Sequence, residues 1–174
     1  MTLSRKERAY LGRAVVYGHV AKAVELQGER VLELFLHSSR AVEVAEFTGE
    51  IYLFLLCANQ LTDSLSNDKH VSLKAIKPED LIAVNHLRNI WEHSHPSKTR
   101  LIKNWKPFNQ AQEDWLNLRF PDSWPEVYSI EEADGDVKIA GILSVQLLIE
   151  EAKHWISVSK DFEGSDELIF PTTS

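Results

Sequence analysis

Arg88-Asn89-Ile90-Trp91-Glu92-His93 brings a permanent cation, a neutral amide and an imidazole within six positions. A guanidinium binds a phosphate through paired hydrogen bonds, and an imidazole takes up and returns a proton near neutral pH. Together these groups suit chemistry on a phosphodiester. Arg88 and His93 are five positions apart, about 140° around a helix axis, so short, rigid side chains at that spacing would not converge. Two routes bring them together. Fraying of the helix before Pro96 turns His93 back toward the long Arg88 side chain, or a twofold dimer sets Arg88 of one subunit beside His93 of the other. Asn89 and His93 are four apart and share a face, as do Arg88 and Glu92.

The helix that must carry these residues has a clear start. Pro78 fits the first helical position, and Glu79 and Asp80 complement the positive end of the helix dipole. Leu81, Val84, Leu87 and Trp91 form its inward stripe, and Pro96 ends it around residues 92–94. Two long helical segments precede it. The first runs from Ser4 to about Ser38, with Tyr10, Ala14, Tyr17, Ala21 and Val24 on one face and Val31, Leu34 and Phe35 extending the stripe. Gly28 makes this either one helix with a weak point or two in series. The second runs from about Val42 to Leu65, with Ile51, Leu55, Ala58, Thr62 and Leu65 in register. The run from Ile51 to Ala58 is apolar nearly all round, which predicts a central helix. After the motif come a short helix near residues 109–118, a small β-hairpin built from residues 128–130 and 137–139 around Asp134-Gly135, and a last helix over 142–160. That last helix turns Leu148, Ala152 and Trp155 inward. The hairpin loop so placed is longer than the favoured two residues. The expected architecture is therefore an all-α bundle of four to five helices with a small β-hairpin insertion. Residues 1–162 form one domain and 163–174 a loose tail.

Composition sets the limits of function. The chain has 174 residues, 44% hydrophobic and 26% charged, the usage of an ordinary globular domain. A net charge of -7 excludes a protein that coats nucleic acid non-specifically, although not a local basic site. Lys98, Arg100, Lys103 and Lys106, with Trp105 among them, form the one dense basic stretch after the N-terminus. It is either a solvated face or a surface that tracks phosphates. The longest apolar run is far short of the roughly 20 residues that span a bilayer, so no membrane association is expected. A single cysteine, Cys57, and no visible secretory signal point to the cytoplasm. Cys57 lies in the apolar run and reads as an inert core thiol. No metal or cofactor motif is present: there is no paired-cysteine or HExxH pattern, no glycine-rich phosphate loop and no nucleophile elbow.

The motif also admits plainer readings. Arg88 and Glu92 can form an ion pair along the helix, Asn89 can be solvated, and His93 and His95 can complement the negative end of the dipole. A third reading makes His86, His93 and His95 metal ligands, with Glu92.

An Arg followed by a polar residue, with a His after four to six intervening positions near the end of a helix, resembles the HEPN family (higher eukaryotes and prokaryotes nucleotide-binding). Arg88-Asn89 with His93 matches the shorter spacing, and Arg88 with His95 the longer. The resemblance spans most of the chain, from about Ser4 to Lys160. It implies a helical bundle that dimerises and a metal-independent endoribonuclease in a defence or toxin–antitoxin-like setting, restrained by an inhibitory protein partner. It also implies roles. His93 or His95 moves the proton, Arg88 stabilises charge on the phosphoryl oxygens, and Asn89 orients His93 or binds phosphate. Lys98, Arg100 and Lys103 steer RNA, and Trp91 or Trp105 stacks a base. Members modified by a partner nucleotidyltransferase carry a Tyr two residues after the His; here that place is His95, so this mode of control is not expected. Several relatives keep the bundle as binding or scaffold modules, so the alternative is a catalytically silent helical dimer that binds a nucleotide, RNA or a protein.

Overall fold

A computed structural model describes residues 5–37, 44–67, 72–93, 110–120 and 124–163. Five helices account for most of them: α1 (Arg5–Leu32), α2 (Val44–Ser66), α3 (Pro78–His93), α4 (Gln110–Arg119) and α5 (Val145–Glu163). A three-stranded antiparallel sheet, β1 (Ile130–Ala133), β2 (Asp136–Ile139) and β3 (Leu143–Ser144), stands immediately before α5. No helix among the described residues is long and apolar enough to cross a membrane. Residues 164–174 lie outside the described residues.

The inward stripes follow the helical period. Ala14, Tyr17, Ala21, Val24 and Val31 of α1 are buried, as are Ile51, Leu55, Ala58, Thr62 and Leu65 of α2 and Leu148, Ala152 and Trp155 of α5. In α3 the buried set is Ala83, Val84, Leu87, Ile90 and Trp91, with Leu81 only half-buried. Every element contributes to one continuous core. The α1–α5 pair is its most extensive interface. These two helices run antiparallel, since Gly18 meets Ser159 and Gly28 meets Ile149. Tyr17 and Trp155 meet edge to face across the same seam, with ring centres 5.5 Å apart.

Gly28 does not break α1. A Cβ there would lie 2.6 Å from Ile149 Cγ1 and 3.0 Å from Phe54 Cε2, so glycine lets α1, α2 and α5 approach one another closely. The interruption comes later, as a π-helical turn at Glu33–His37 that ends α1. The wider turn shifts the register of the stripe, which is why Leu34 and Phe35 are only half-buried. Phe35 instead stacks on Phe47 of α2 at 5.2 Å. The second helix is not enclosed on all sides either. It packs between α1 and α3, and Leu53 on its outer face is 47% exposed.

The hairpin departs most from the sequence expectation. Residues 124–128 form a 3₁₀ helix, and the strands start later and meet closer, leaving the two-residue loop Asp134-Gly135. Both loop residues have positive φ, 54° and 78°, which matches the right-handed twist of the strands. Val137 and Ile139 point into the core while Lys138 faces Glu131 across the ladder. A second tight turn through Ala140 and Gly141, at φ 57° and 66°, adds β3. Asp136 then ties the sheet to α5: its carboxylate accepts from Gln146 N at 2.9 Å and from the Ser144 hydroxyl at 2.5 Å, while Ser144 Oγ accepts from Leu147 N at 2.9 Å. The first turn of α5 is thus capped from two residues.

Two buried carboxylates join distant segments. Glu50 of α2 is 8% exposed and pairs with Arg30 at 2.7 Å and with Gln27, fixing α2 on α1. Glu151 of α5 is fully buried. Its Oε2 accepts from the backbone N–H groups of Lys74 (2.8 Å), Ala75 (2.7 Å) and Ile76 (3.4 Å), and its Oε1 accepts from Trp155 Nε1 (2.9 Å). Charge-assisted bonds of this kind are worth roughly 1.5–3 kcal/mol each, and four of them offset the cost of burying the charge. Glu151→Gln keeps the shape but presents an amide to N–H donors, so equilibrium urea denaturation should show a loss of about 2–4 kcal/mol. Gly28→Ala should lose about 1–2 kcal/mol in the same experiment, because the clash with Ile149 outweighs the gain in helix propensity.

Candidate functional site

Helix α3 begins with one arm of a capping box. Asp80 Oδ2 accepts from Lys77 N at 2.7 Å, and Pro78 occupies the first helical position. It ends at His93, at the motif. On a straight helix Asn85, Arg88, Asn89 and Glu92 lie on one face, beside the buried stripe and toward α2.

Those four side chains are bonded to one another. Arg88 Nη1 donates to Asn89 Oδ1 at 2.7 Å and pairs with Glu92 Oε2 at 2.9 Å. Asn89 Nδ2 donates to Asn85 Oδ1 at 3.3 Å, Asn85 Nδ2 to Asn59 Oδ1 at 3.2 Å, and Asn59 Nδ2 to Asp63 Oδ2 at 3.2 Å. A chain of three amides with a common donor direction therefore runs from the guanidinium on α3 to a carboxylate on α2. Amide dipoles aligned in this sense stabilise the cation at one end and the anion at the other. Asn85, Asn59 and Asp63 were not among the residues singled out from the sequence. Their signal is local: Asn85 with Asn89 and Asn59 with Asp63 are each four apart, on helices that otherwise present apolar residues to each other.

Arg88 is the centre of this cluster. Its side chain is 28% exposed and that of Glu92 34%, so the ion pair is only partly screened by solvent. Arg88 Nε is buried and has no hydrogen-bond partner among the described residues. An unpaired buried donor costs about 1–3 kcal/mol, which an anion drawn up to the guanidinium would recover.

The other sequence candidates fall into three groups. Arg88 and Asn89 are brought together, and the Arg88–Glu92 ion pair forms. Asn89, however, directs its amide to Arg88 and Asn85, so its observed role is to hold the arginine. His93 is placed by its backbone as the last residue of α3; its side chain, and His95, Lys98, Arg100, Lys103, Lys106 and Trp105, lie outside the described residues. Trp91 is not a base-stacking platform. It is 6% exposed, donates from Nε1 to Val127 O at 3.3 Å and packs on Tyr128, so the core takes both its faces and its polar tip. His86 packs on Trp115 of α4 with ring centres 4.7 Å apart, and no group of three His, Cys, Asp or Glu residues able to hold a metal occurs among the described residues. Cys57 is half-buried, and burial pushes its thiol above the usual range, which keeps it protonated.

No family model, curated protein or solved structure matches this chain.

Burial lowers the pKa of His86 below 6.5, so the neutral ring is the form that packs on Trp115. The unfolded chain then binds the proton more readily than the folded one. The contribution of His86 is complete above pH 6.5 and is lost as the pH falls toward the folded pKa. The melting temperature should therefore drop on acidification through this window, less steeply in His86→Phe. Proton NMR titration of the ring should give a midpoint below 6.5.

Proposed function

We propose that this chain is a metal-independent endoribonuclease of the HEPN type, active as a homodimer, in a defence or toxin–antitoxin-like setting with an inhibitory protein partner. The observation that carries the reading is the state of Arg88: positioned by Asn89 and Glu92, partly exposed, and with a buried N–H unpaired among the described residues, on the helix that ends in His93. His93 takes the proton from the ribose 2′-hydroxyl, and O2′ attacks the adjacent phosphorus. The bond from phosphorus to O5′ breaks, the leaving oxygen takes a proton, and a 2′,3′-cyclic phosphate remains. Arg88 carries the charge that grows on the phosphoryl oxygens. The amide chain through Asn89, Asn85 and Asn59 holds the guanidinium in place. Lys98, Arg100 and Lys103 steer the RNA, and His95 is the alternative to His93 as the proton carrier.

The same helix geometry supports the dimer in this reading. With Arg88 and His93 about 140° apart on one helix, two copies of α3 across a twofold axis place the cation of one subunit beside the imidazole of the other. A second reading, a silent dimer that binds a nucleotide, RNA or a protein partner, is favoured by one observation. Glu92 already neutralises Arg88 and competes with any incoming phosphate.

Incubating the purified protein with mixed RNAs in EDTA separates the two. The wild type should leave 2′,3′-cyclic phosphate ends, and Arg88→Ala and His93→Ala should each lose cleavage by roughly a hundredfold or more. Glu92→Gln, which frees the guanidinium, should raise kcat/KM by about three- to tenfold. Equal cleavage by wild type and all variants, or none by any, would sink the nuclease. Light scattering should give a dimer; a strict monomer removes the composite site.

A further inference from the structure

About 12 Å along α3 from Arg88, at the helix's N-terminal end, lies a second concavity. It is a cleft of about 340 Å³ between the start of α3, the end of α4, and the β2–β3 turn with the first turn of α5. Lys77, Arg119 and Lys138 reach it from three different elements. Among the described residues none of these three side chains has an ion pair or a hydrogen bond, whereas Lys22, Arg30, Arg88 and Lys153 all have a carboxylate partner. In a chain of net charge -7, three cations left unpaired around one hollow concentrate positive potential there. Two carboxylates share the rim. Asp80 Oδ2 accepts from the Lys77 backbone N–H, and Glu79 offers a further acceptor for hydroxyl or amino groups.

The remaining wall is mostly apolar: Ala83, Trp115, Ile142 and Leu147, with Ser144 the one polar residue among them and Leu147 41% exposed despite its size. Its supports are fixed. Glu151 pins the backbone of residues 74–76 just before Lys77, and Asp136 pins β2 to the start of α5. The first-turn N–H groups of Gln146 and Leu147 are taken by Asp136 and Ser144, so an anion here would be held by side chains and not by a helix end. The volume sits at the small end of ligand sites, which run from about 300 to 1,000 Å³, and it suits one nucleotide better than a strand.

We propose that this cleft binds a phosphate monoester carried on a flat ring, a nucleoside monophosphate in chemistry. The phosphate lies among Lys77, Arg119 and Lys138, the ring along Trp115, Ile142 and Leu147, and Glu79 meets the polar edge of the ligand. The site is separate from Arg88 and does not depend on the nuclease reading.

Titration calorimetry of the full chain tests it with AMP, adenosine, inorganic phosphate and a short single-stranded RNA blocked at both ends. AMP should bind saturably, and adenosine and phosphate should each bind about tenfold or more weakly, because each satisfies half of the cleft. Arg119→Glu and Lys138→Glu should each weaken AMP about tenfold, with melting curves confirming that both fold. Lys153→Glu, whose partner Glu29 lies on the α1–α5 seam, should leave AMP affinity unchanged. Arg88→Ala should also leave it unchanged; loss of AMP binding there would move the ligand to the other site and overturn the assignment. No saturable AMP binding at millimolar concentration overturns it too, as do unaltered binding in both charge reversals, phosphate binding as tight as AMP, and binding of the blocked RNA alone.

Discussion

Glu151 is the interaction on which the placement of α3 depends. A carboxylate at zero exposure, in the apolar face of α5, is tolerable only because four N–H groups converge on it. Three of them belong to the backbone turn just before α3. The buried charge therefore decides where α3 starts and how it leans on the bundle. Trp155, the fourth donor, packs edge to face on Tyr17 of α1, so the same carboxylate is coupled to the α1–α5 seam. Removing it would take the shared acceptor from three backbone N–H groups, one of them buried, a larger loss than one hydrogen bond.

From that anchor, α3 acts as a beam with different chemistry at its two ends. Its N-terminal end meets α4 and the sheet around a hollow lined by cations that are unpaired among the described residues. Its C-terminal end carries the Arg88 cluster, held against α2 by amides. Both ends are tied to the bundle by hydrogen-bonded polar groups, Glu151 before the first turn and the asparagines beside Arg88. Arg88 is the exception, because Glu92 and Asn89 satisfy one nitrogen and, among the described residues, Nε has no partner. Unsatisfied donors of this kind mark places where a fold tolerates a cost that a ligand can relieve.

Much of this was legible in the sequence, where the physics is local. The start of α3 was marked by Pro78 and Asp80, and its end by the approach of Pro96; the buried faces of α1, α2 and α5 followed from spacing alone. The hairpin was seen through Asp134-Gly135, although its strands were placed too far apart because Tyr128 reads as a strand residue while it closes a 3₁₀ turn. Gly28 left one helix or two open, because the cost of glycine in a helix is visible in a sequence; that α1 runs through it rests on a close approach of Ile149 and Phe54 that is not. Trp91 offered an aromatic beside the motif, and only the position of Val127 shows that the ring is spent on the core.

The chain by itself determined which residues face inward, where its helices begin, and that a guanidinium, an amide and an imidazole share the end of one helix. These follow from periodicity and from contacts within about four residues, which propensity and capping control. Tertiary structure decided what each polar group touches. Lys74 and Glu151 are 77 residues apart, Asn59 and Asn85 are 26 apart, and Gln27 and Glu50 are 23 apart. Pairings over such separations depend on how helices pack, and the electrostatic state of Arg88 depends on them in turn. A sequence names the groups available for chemistry; burial and partners fix which of their protons and charges remain free to act.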